Sequence, residues 1–186
     1  MSKKIILCLT ILFSLLALHD LLLEPQKSLP LQQPNQRTIP TPQDTRPRVT
    51  RVIDGDTIIV LIDGVSEKVR LIGVDTPETL DQRKPVQCFG LEASAFTKII
   101  LNDAVVRLES DPSQNNRDRY GRLLRYVFLI NDINKQEIFI NKKIIAEGYG
   151  HEYTHRIPYH YRDDFKTAER TARENKTGLW ADGVCN

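Results

Sequence analysis

Val49-Thr50-Arg51-Val52-Ile53-Asp54-Gly55-Asp56-Thr57-Ile58-Ile59-Val60-Leu61-Ile62-Asp63-Gly64 is a run of β-branched residues broken twice by Asp-Gly. Val, Ile and Thr lose side-chain freedom in a helix and pack well on a pleated surface, so strands are expected over 49–53 and 57–62. Asp63-Gly64 supplies the turn of a tight hairpin. A third strand then follows over 68–72. Asp54-Gly55-Asp56 is a turn as well, and it sets two carboxylates at a strand junction.

Working outward, residues 79–87 form a polar loop, and 90–101 form an amphipathic helix with Leu91, Ala95, Ile99 and neighbouring Phe96 facing the core. Strands are expected over 104–108 and 123–130, around a polar loop that spans 110–118. A short helix over 141–147 is ended by Gly148, and a longer one over 159–175 stops near Thr177-Gly178, with Trp180 packed against it. Three strands, a helix, two strands and two helices predict an α+β, mainly β domain: a five-stranded OB-type barrel with three helices packed beside it.

Upstream of this domain, Lys3 and Lys4 precede an apolar run from Ile5 to Leu18. That is the layout of an export signal, and residues 1–23 read as a cleaved signal peptide or an uncleaved signal anchor. If uncleaved, residues 5–23 are long enough to tether the protein to a membrane. Residues 24–48 are rich in Pro and Gln and read as a disordered spacer, leaving 49–186 as the folded domain. Either outcome exports the domain, making it secreted, periplasmic or anchored at the cell envelope.

Hydrophobic content of 40% and charged content of 27% suit a soluble globular protein of one domain. The formal charge of +2 is carried by the upstream segment: six basic and three acidic side chains precede residue 49, leaving 20 basic and 21 acidic beyond it. With a net charge of −1 the domain has no global basic field, so any phosphate site must be local. Cys88 and Cys185 are an even pair in an exported domain, the usual setting of a disulfide. Such a bridge would stabilise the fold by about 4 kcal/mol through its long loop. Two free buried thiols are the alternative.

Three segments carry chemistry: Asp54-Gly55-Asp56-Thr57, Arg70-Leu71-Ile72-Gly73-Val74-Asp75-Thr76-Pro77-Glu78, and Asp118-Arg119-Tyr120-Gly121-Arg122. Carboxylates suit a hard divalent cation, and arginines suit phosphate oxygens through bidentate donation. With Val52-Ile53 before the first segment, Phe89-Gly90-Leu91-Glu92-Ala93-Ser94-Ala95-Phe96-Thr97 between the second and third, and Gly178-Leu179-Trp180 at the end, the chain resembles the staphylococcal-nuclease (thermonuclease) family over residues 49–182.

The resemblance implies a calcium-dependent enzyme, monomeric, that hydrolyses single-stranded or flexible DNA and RNA with low sequence specificity and leaves 3′-phosphates. It implies Asp56 and Asp75 as side-chain calcium ligands with the Thr76 backbone carbonyl, and Asp54 orienting the ion or its waters. Glu78 would be the general base, Arg70 and Arg122 the phosphate clamp, and Arg119 and Tyr120 contacts to nucleotide phosphates. Where the family often places stacking aromatics after Gly148, this chain reads Tyr153-Thr154-His155-Arg156, so that Tyr153, Tyr149 or Tyr159 takes that place. A binding module that has lost catalysis is the second reading.

His151-Glu152-Tyr153-Thr154-His155 is a literal H-E-x-x-H, which on a helix would bind zinc with Glu152 as base and His160, Glu169 or Glu174 as third ligand. Gly148 and Gly150 before it and Pro158 after it leave little room for a helix, so an incidental loop is expected instead.

Overall fold

The computed structural model describes residues 44–79, 85–134 and 136–185. The targeting segment expected over 1–23, and the expected spacer as far as residue 43, lie outside the described residues, among which no helix is long and apolar enough to cross a membrane.

Among the described residues, eight strands and three helices follow one another in the order β1 Arg48–Val52, β2 Thr57–Ile62, β3 Val65–Leu71, β4 Val74–Asp75, α1 Gly90–Leu101, β5 Val106–Glu109, β6 Leu123–Ile130, β7 Glu137–Phe139, α2 Ile140–Ala146, β8 His151–Glu152 and α3 Arg162–Glu174, with a 3-10 turn at Gly178–Trp180. The fold is therefore α+β, mostly sheet with three helices. β1, β2 and β3 form an antiparallel meander. The hairpin between β2 and β3 turns on Asp63 (φ 49°) and Gly64 (φ 81°), both left-handed as this turn type requires. β3 then pairs in parallel with β6, setting Val69 beside Leu123 and Arg70 beside Leu124. β6 also carries β5 and β7 as antiparallel neighbours.

The expected five-stranded OB-type barrel needs correction, because the strand count differs and the sheet does not close. The main sheet has six strands in the path β1-β2-β3-β6-β5, with β7 on β6, and a second sheet pairs β4 with β8. Between the two ends of the path runs a single bridge, Arg48 to Val105, in place of a ladder. Val49 N–H donates to Ala104 O and Val106 N–H to Pro47 O, both at 2.9 Å, so the ends touch only around the first residue of β5.

The core lies between the inner faces of β1, β2, β3 and β6 and the apolar faces of α2 and α3, with Val49, Val60, Val69, Tyr126, Ile144 and Phe165 all fully buried. Asn141, also fully buried, accepts from Val127 N–H at 2.8 Å and donates to Ile72 O at 2.9 Å. It satisfies main-chain groups that the ladder leaves open where β3 and β6 diverge.

α1 occupies the residues expected of it but presents a different face. Leu91 and Ile99 are 65% and 83% exposed and Ala95 is exposed, whereas Gly90, Ala93, Ser94, Thr97 and Leu101 are buried. Small side chains let the helix approach the Asp54–Asp56 turn closely, and Thr97 Oγ1 donates to Gly55 O at 2.8 Å. Only Phe96, half-buried and stacked on Tyr149 at 4.0 Å, keeps part of the expected contact. α3 starts at Arg162 and not at 159, because Tyr159 is buried in the core and His160 N–H is taken by Asp111.

Gly148 (φ +71°) closes α2 against the turn that follows α3, and a Cβ there would lie 2.1 Å from Thr177 O. Gly148→Ala is expected to destabilise the fold by at least ~2 kcal/mol, combining the left-handed penalty with a backbone clash. A thermal melt checks this, and an unchanged midpoint contradicts it.

Candidate nucleic-acid cleavage site

Asp56 is the hub of the first turn. Its side chain is buried, accepting from Thr57 Oγ1 at 2.9 Å on one oxygen and from Thr76 N–H at 3.0 Å on the other. Arg70 Nη2 stands 3.2 Å from the same second oxygen and 2.9 Å from Asp75 Oδ1, so one guanidinium bridges two carboxylates. The same arginine donates to Leu71 O and Val74 O, which fixes its head at the β3–β4 bend. Asp54 accepts from Asp56 N–H at 3.1 Å. Glu78 follows β4 by three residues, and its Oε1 accepts from Thr79 N–H at 2.8 Å.

This cluster carries more negative charge than its surroundings neutralise. Burial first, then the charge of Asp56, pushes the Asp54 carboxyl up to about 7. Asp75 is held above its ordinary value by partial burial, with the charges of Asp56 and Glu78 adding to it and those of Arg70 and His151 opposing. Carboxylates that resist ionisation beside one another are what a hard cation relieves, and an all-oxygen donor set is what it prefers. The residues present therefore fit a divalent cation. Among the described residues no three His, Cys, Asp or Glu side chains converge as ligands, so the set would be completed by backbone oxygen and water.

A pH dependence follows from these shifts. The folded values of Asp54 and Asp75 lie above the unfolded carboxylate value, so between them the native state binds more protons than the unfolded chain. Their stabilising contribution is complete below the unfolded value and is lost as pH rises through about 7. In a chelator the melting temperature should accordingly fall between pH 5 and pH 8, as read by scanning calorimetry at stated pH values. A flat profile in chelator would contradict this.

The arginines of the third segment meet this cluster because β3 and β6 run parallel. Arg122 directly precedes Leu123, which pairs with Val69, so Arg122 and Arg70 arrive at the same rim. Asp118 orients Arg122, accepting from its Nε at 2.6 Å and from its backbone N–H at 3.0 Å. Burial opposes ionisation of Asp118, yet the Arg122 guanidinium and the turn amides hold its carboxyl below the ordinary value. Arg122 Nη1 reaches Thr57 Oγ1 at 3.4 Å, and Thr57 in turn donates to Asp56. Thr57 thus joins the arginine and carboxylate halves of the site.

Arg70, Asp75, Arg119, Tyr120, Arg122 and Tyr153 all line one cleft of about 700 Å³, together with Arg117 and Arg156. Five arginines against two carboxylates make this a local basic surface in a domain without a basic excess. Tyr120 is 67% exposed, with the guanidiniums of Arg119 and Arg122 at 4.7 and 5.4 Å from its ring. Asp54, Asp56, Thr76 and Glu78 do not line the cleft, and the charges of Asp56 and Glu78 reach it through Asp75. Of the three candidate stacking tyrosines only Tyr153 is exposed, at 45%, with its OH 3.1 Å from His155 Nδ1. Tyr149 is stacked between Phe89 and Phe96, and Tyr159 is buried with its OH donating to Glu152 at 3.0 Å.

The H-E-x-x-H match forms no zinc site. His151 and Glu152 make up the two-residue strand β8, paired with β4, so the two histidines share no helix face. His151 sits 3.4 Å from Glu169 and edge-on to Trp180, and Arg173 lies over the Trp180 ring at 3.9 Å.

With this geometry established, comparison with known proteins gives a consistent result. A family model described as staphylococcal nuclease homologue matches residues 68–182. The chain belongs to the staphylococcal nuclease homologue family. Among its curated relatives is a thermonuclease of Staphylococcus hyicus, 42% identical over 157 residues that cover 84% of this chain and 83% of the relative. A thermonuclease of Staphylococcus intermedius is 42% identical over 132 residues, covering 71% and 74%. The endonuclease YncB of Bacillus subtilis is 36% identical over 131 residues, covering 70% and 59%.

Three site residues of this staphylococcal nuclease homologue escaped sequence reasoning. Asp118 and Thr57 lie inside the quoted segments without a role, though an Asp four residues before an Arg is itself a pairing signal. Asp111, read only as loop, is 4% exposed and accepts from Ser113 N–H, Ser113 Oγ, Tyr126 OH and His160 N–H. Burial opposes its ionisation, but these four donors hold its carboxyl below the ordinary value and pin the cleft's outer loop to β6 and to the start of α3.

Proposed function

We propose that this chain is an exported, calcium-dependent nuclease that hydrolyses phosphodiester bonds of DNA and RNA with low sequence specificity and leaves 3′-phosphate ends. The observation that carries the reading is the meeting of a five-arginine cleft with a carboxylate cluster at Asp75. Relatives named thermonuclease and endonuclease support the same activity.

In this reading Asp56, Asp75 and the Thr76 backbone carbonyl would hold the calcium ion, and Asp54 would orient its waters. The ion supplies charge neutralisation at the phosphate and lowers the pKa of nearby water. Glu78 accepts the proton of the attacking water as its oxygen bonds to phosphorus. The bond from phosphorus to the 5′ oxygen breaks, and that oxygen leaves with a proton from solvent. Arg70 and Arg122 donate to the phosphate oxygens as their charge grows in the five-coordinate state, where fixed donors count most. Arg119 and Tyr120 hold an adjacent phosphate, and Tyr153 stacks on a base. Low specificity follows, because each of these groups reads phosphate or ring face and none reads a base edge.

The disulfide, and Lys3 and Lys4 ahead of the apolar N-terminal run, support a protein at work outside the cytoplasm. Calorimetric titration tests the ligand set. Calcium should bind the protein, and Asp75→Asn should weaken it by about tenfold or more, the scale of a lost carboxylate ligand. Equal affinity in that variant would remove Asp75 from the set.

A further inference from the structure

Glu78 is held by its main chain as well as its side chain, and the residue that holds its main chain lies nine positions further on. Gln87 N–H donates to Glu78 O at 3.0 Å, while Glu78 N–H donates to the Gln87 side-chain Oε1 at 2.7 Å. This reciprocal clasp fixes the Glu78 peptide from both sides. Gln87 O in turn accepts from Gly90 N–H at 3.0 Å, which ties the clasp to the start of α1. The helix end is pressed against the same peptide: a Cβ on Gly90 would lie 3.1 Å from Pro77 O and 3.2 Å from Glu78 O. Phe89 between them takes the left-handed conformation, φ 65°, which a bulky side chain adopts only when its surroundings impose it.

Cys88 stands between the clasp and this strained residue, and it is bonded to Cys185 across 97 residues. The far end of the bond is itself anchored. Leu179 N–H donates to Gly148 O at 2.9 Å and Val184 N–H to Ala181 O at 3.2 Å, so the terminal segment is fastened to the α2 end of the fold. Gln87, Cys88 and Cys185 are all exposed, so the bond contributes little by packing. Its evident mechanical effect is to prevent the 87–89 segment from swinging away with its clasp on Glu78.

We propose that Gln87 and the Cys88–Cys185 disulfide are positioning elements for Glu78, acting on turnover through the placement of that carboxylate. This rests on the reading of Glu78 as the base. A base must stand within about 0.5 Å of its working geometry, and a misplacement near 1 Å costs on the order of 100-fold in rate. The clasp and the bond share that task, so loss of either should be milder than loss of the carboxylate.

The test uses Gln87→Leu, the double variant Cys88→Ser/Cys185→Ser, and Glu78→Gln, alone and combined with each. All are assayed on single-stranded DNA in saturating calcium, well below their melting temperatures. Gln87→Leu, exposed and free of any covalent role, guards against a variant that merely unfolds. The expected result is a fall in kcat of roughly tenfold for each brace variant with KM unchanged, and no further fall when either is added to Glu78→Gln. Wild-type kcat in both brace variants, with only the melting temperature lowered, overturns the brace and leaves Glu78 as the base. Full activity in Glu78→Gln itself overturns the reading of the base, and the brace with it.

Discussion

Glu78→Gln is expected to lower kcat on single-stranded DNA by roughly 100- to 10,000-fold, the range general-base catalysis contributes. Nucleotide binding should stay nearly unchanged, because the arginines that line the cleft do not depend on Glu78 for their partners. Arg70 is fixed by Asp56, Asp75 and two carbonyls, and Arg122 by Asp118 and Thr57. Gln keeps the side chain's length and its acceptor oxygen for Thr79 N–H, so the substitution removes basicity with little structural cost. Single-turnover kinetics and equilibrium titration with a nucleotide separate the two effects. A large rise in KM at constant kcat would show that Glu78 binds and does not abstract a proton. Full retention of both would remove Glu78 as the base, whereas a wild type that binds nucleotide without turnover would favour the binding-module reading.

The second large effect concerns stability. Removing the Cys88–Cys185 bond should cost about 4 kcal/mol, because the freed loop of 97 residues regains its conformational entropy in the unfolded chain. For a domain of this size that corresponds to a drop of roughly 10 °C in melting temperature. Urea titrations of the wild type and of Cys88→Ser/Cys185→Ser measure it, and the m value should change as well, since the unbridged unfolded chain is more expanded. A loss below about 1 kcal/mol would mean that the bond adds little to the closed loop's entropy and acts, if at all, only locally.

Much of this architecture is legible in the residues, for identifiable reasons. β2, β6 and α1 occupy the residues that pattern alone assigns, 57–62, 123–130 and 90–101, because strong β-branched runs or helical periodicity end there at Gly, Asp or Asn. What pattern could not supply is which partner each element meets. α1 buries Ala93, Ser94 and Thr97 and exposes Leu91 and Ile99, since a close approach to Gly55 outweighs the burial of larger side chains. Hydrophobic periodicity weighs side chains by size and therefore selects the wrong face. β4 and β8, two residues each, are too short to carry an alternation, and they exist because the pairing of Val74 with Glu152 satisfies their main chains.

The site shows the same division. The quoted segments contain every residue assigned to the cluster, and the parallel pairing of β3 with β6 brings Arg122 to Arg70. That pairing is non-local and leaves no trace in either strand alone. The roles of Asp118, Thr57 and Asp111 depend on which donors surround each oxygen, and so became visible only in three dimensions. The histidines of the H-E-x-x-H match make the converse point. Their spacing is meaningful on a helix, and β8 removes the helix.

The most direct test of a calcium-dependent nuclease is to incubate the purified protein with single-stranded DNA in calcium, in a calcium chelator and in zinc, and to determine the chemistry of the ends. The account predicts cleavage in calcium alone, with 3′-phosphate ends that resist extension until a phosphatase removes them. A folded protein that leaves the DNA intact in calcium, or that cuts it equally well in chelator, would contradict it.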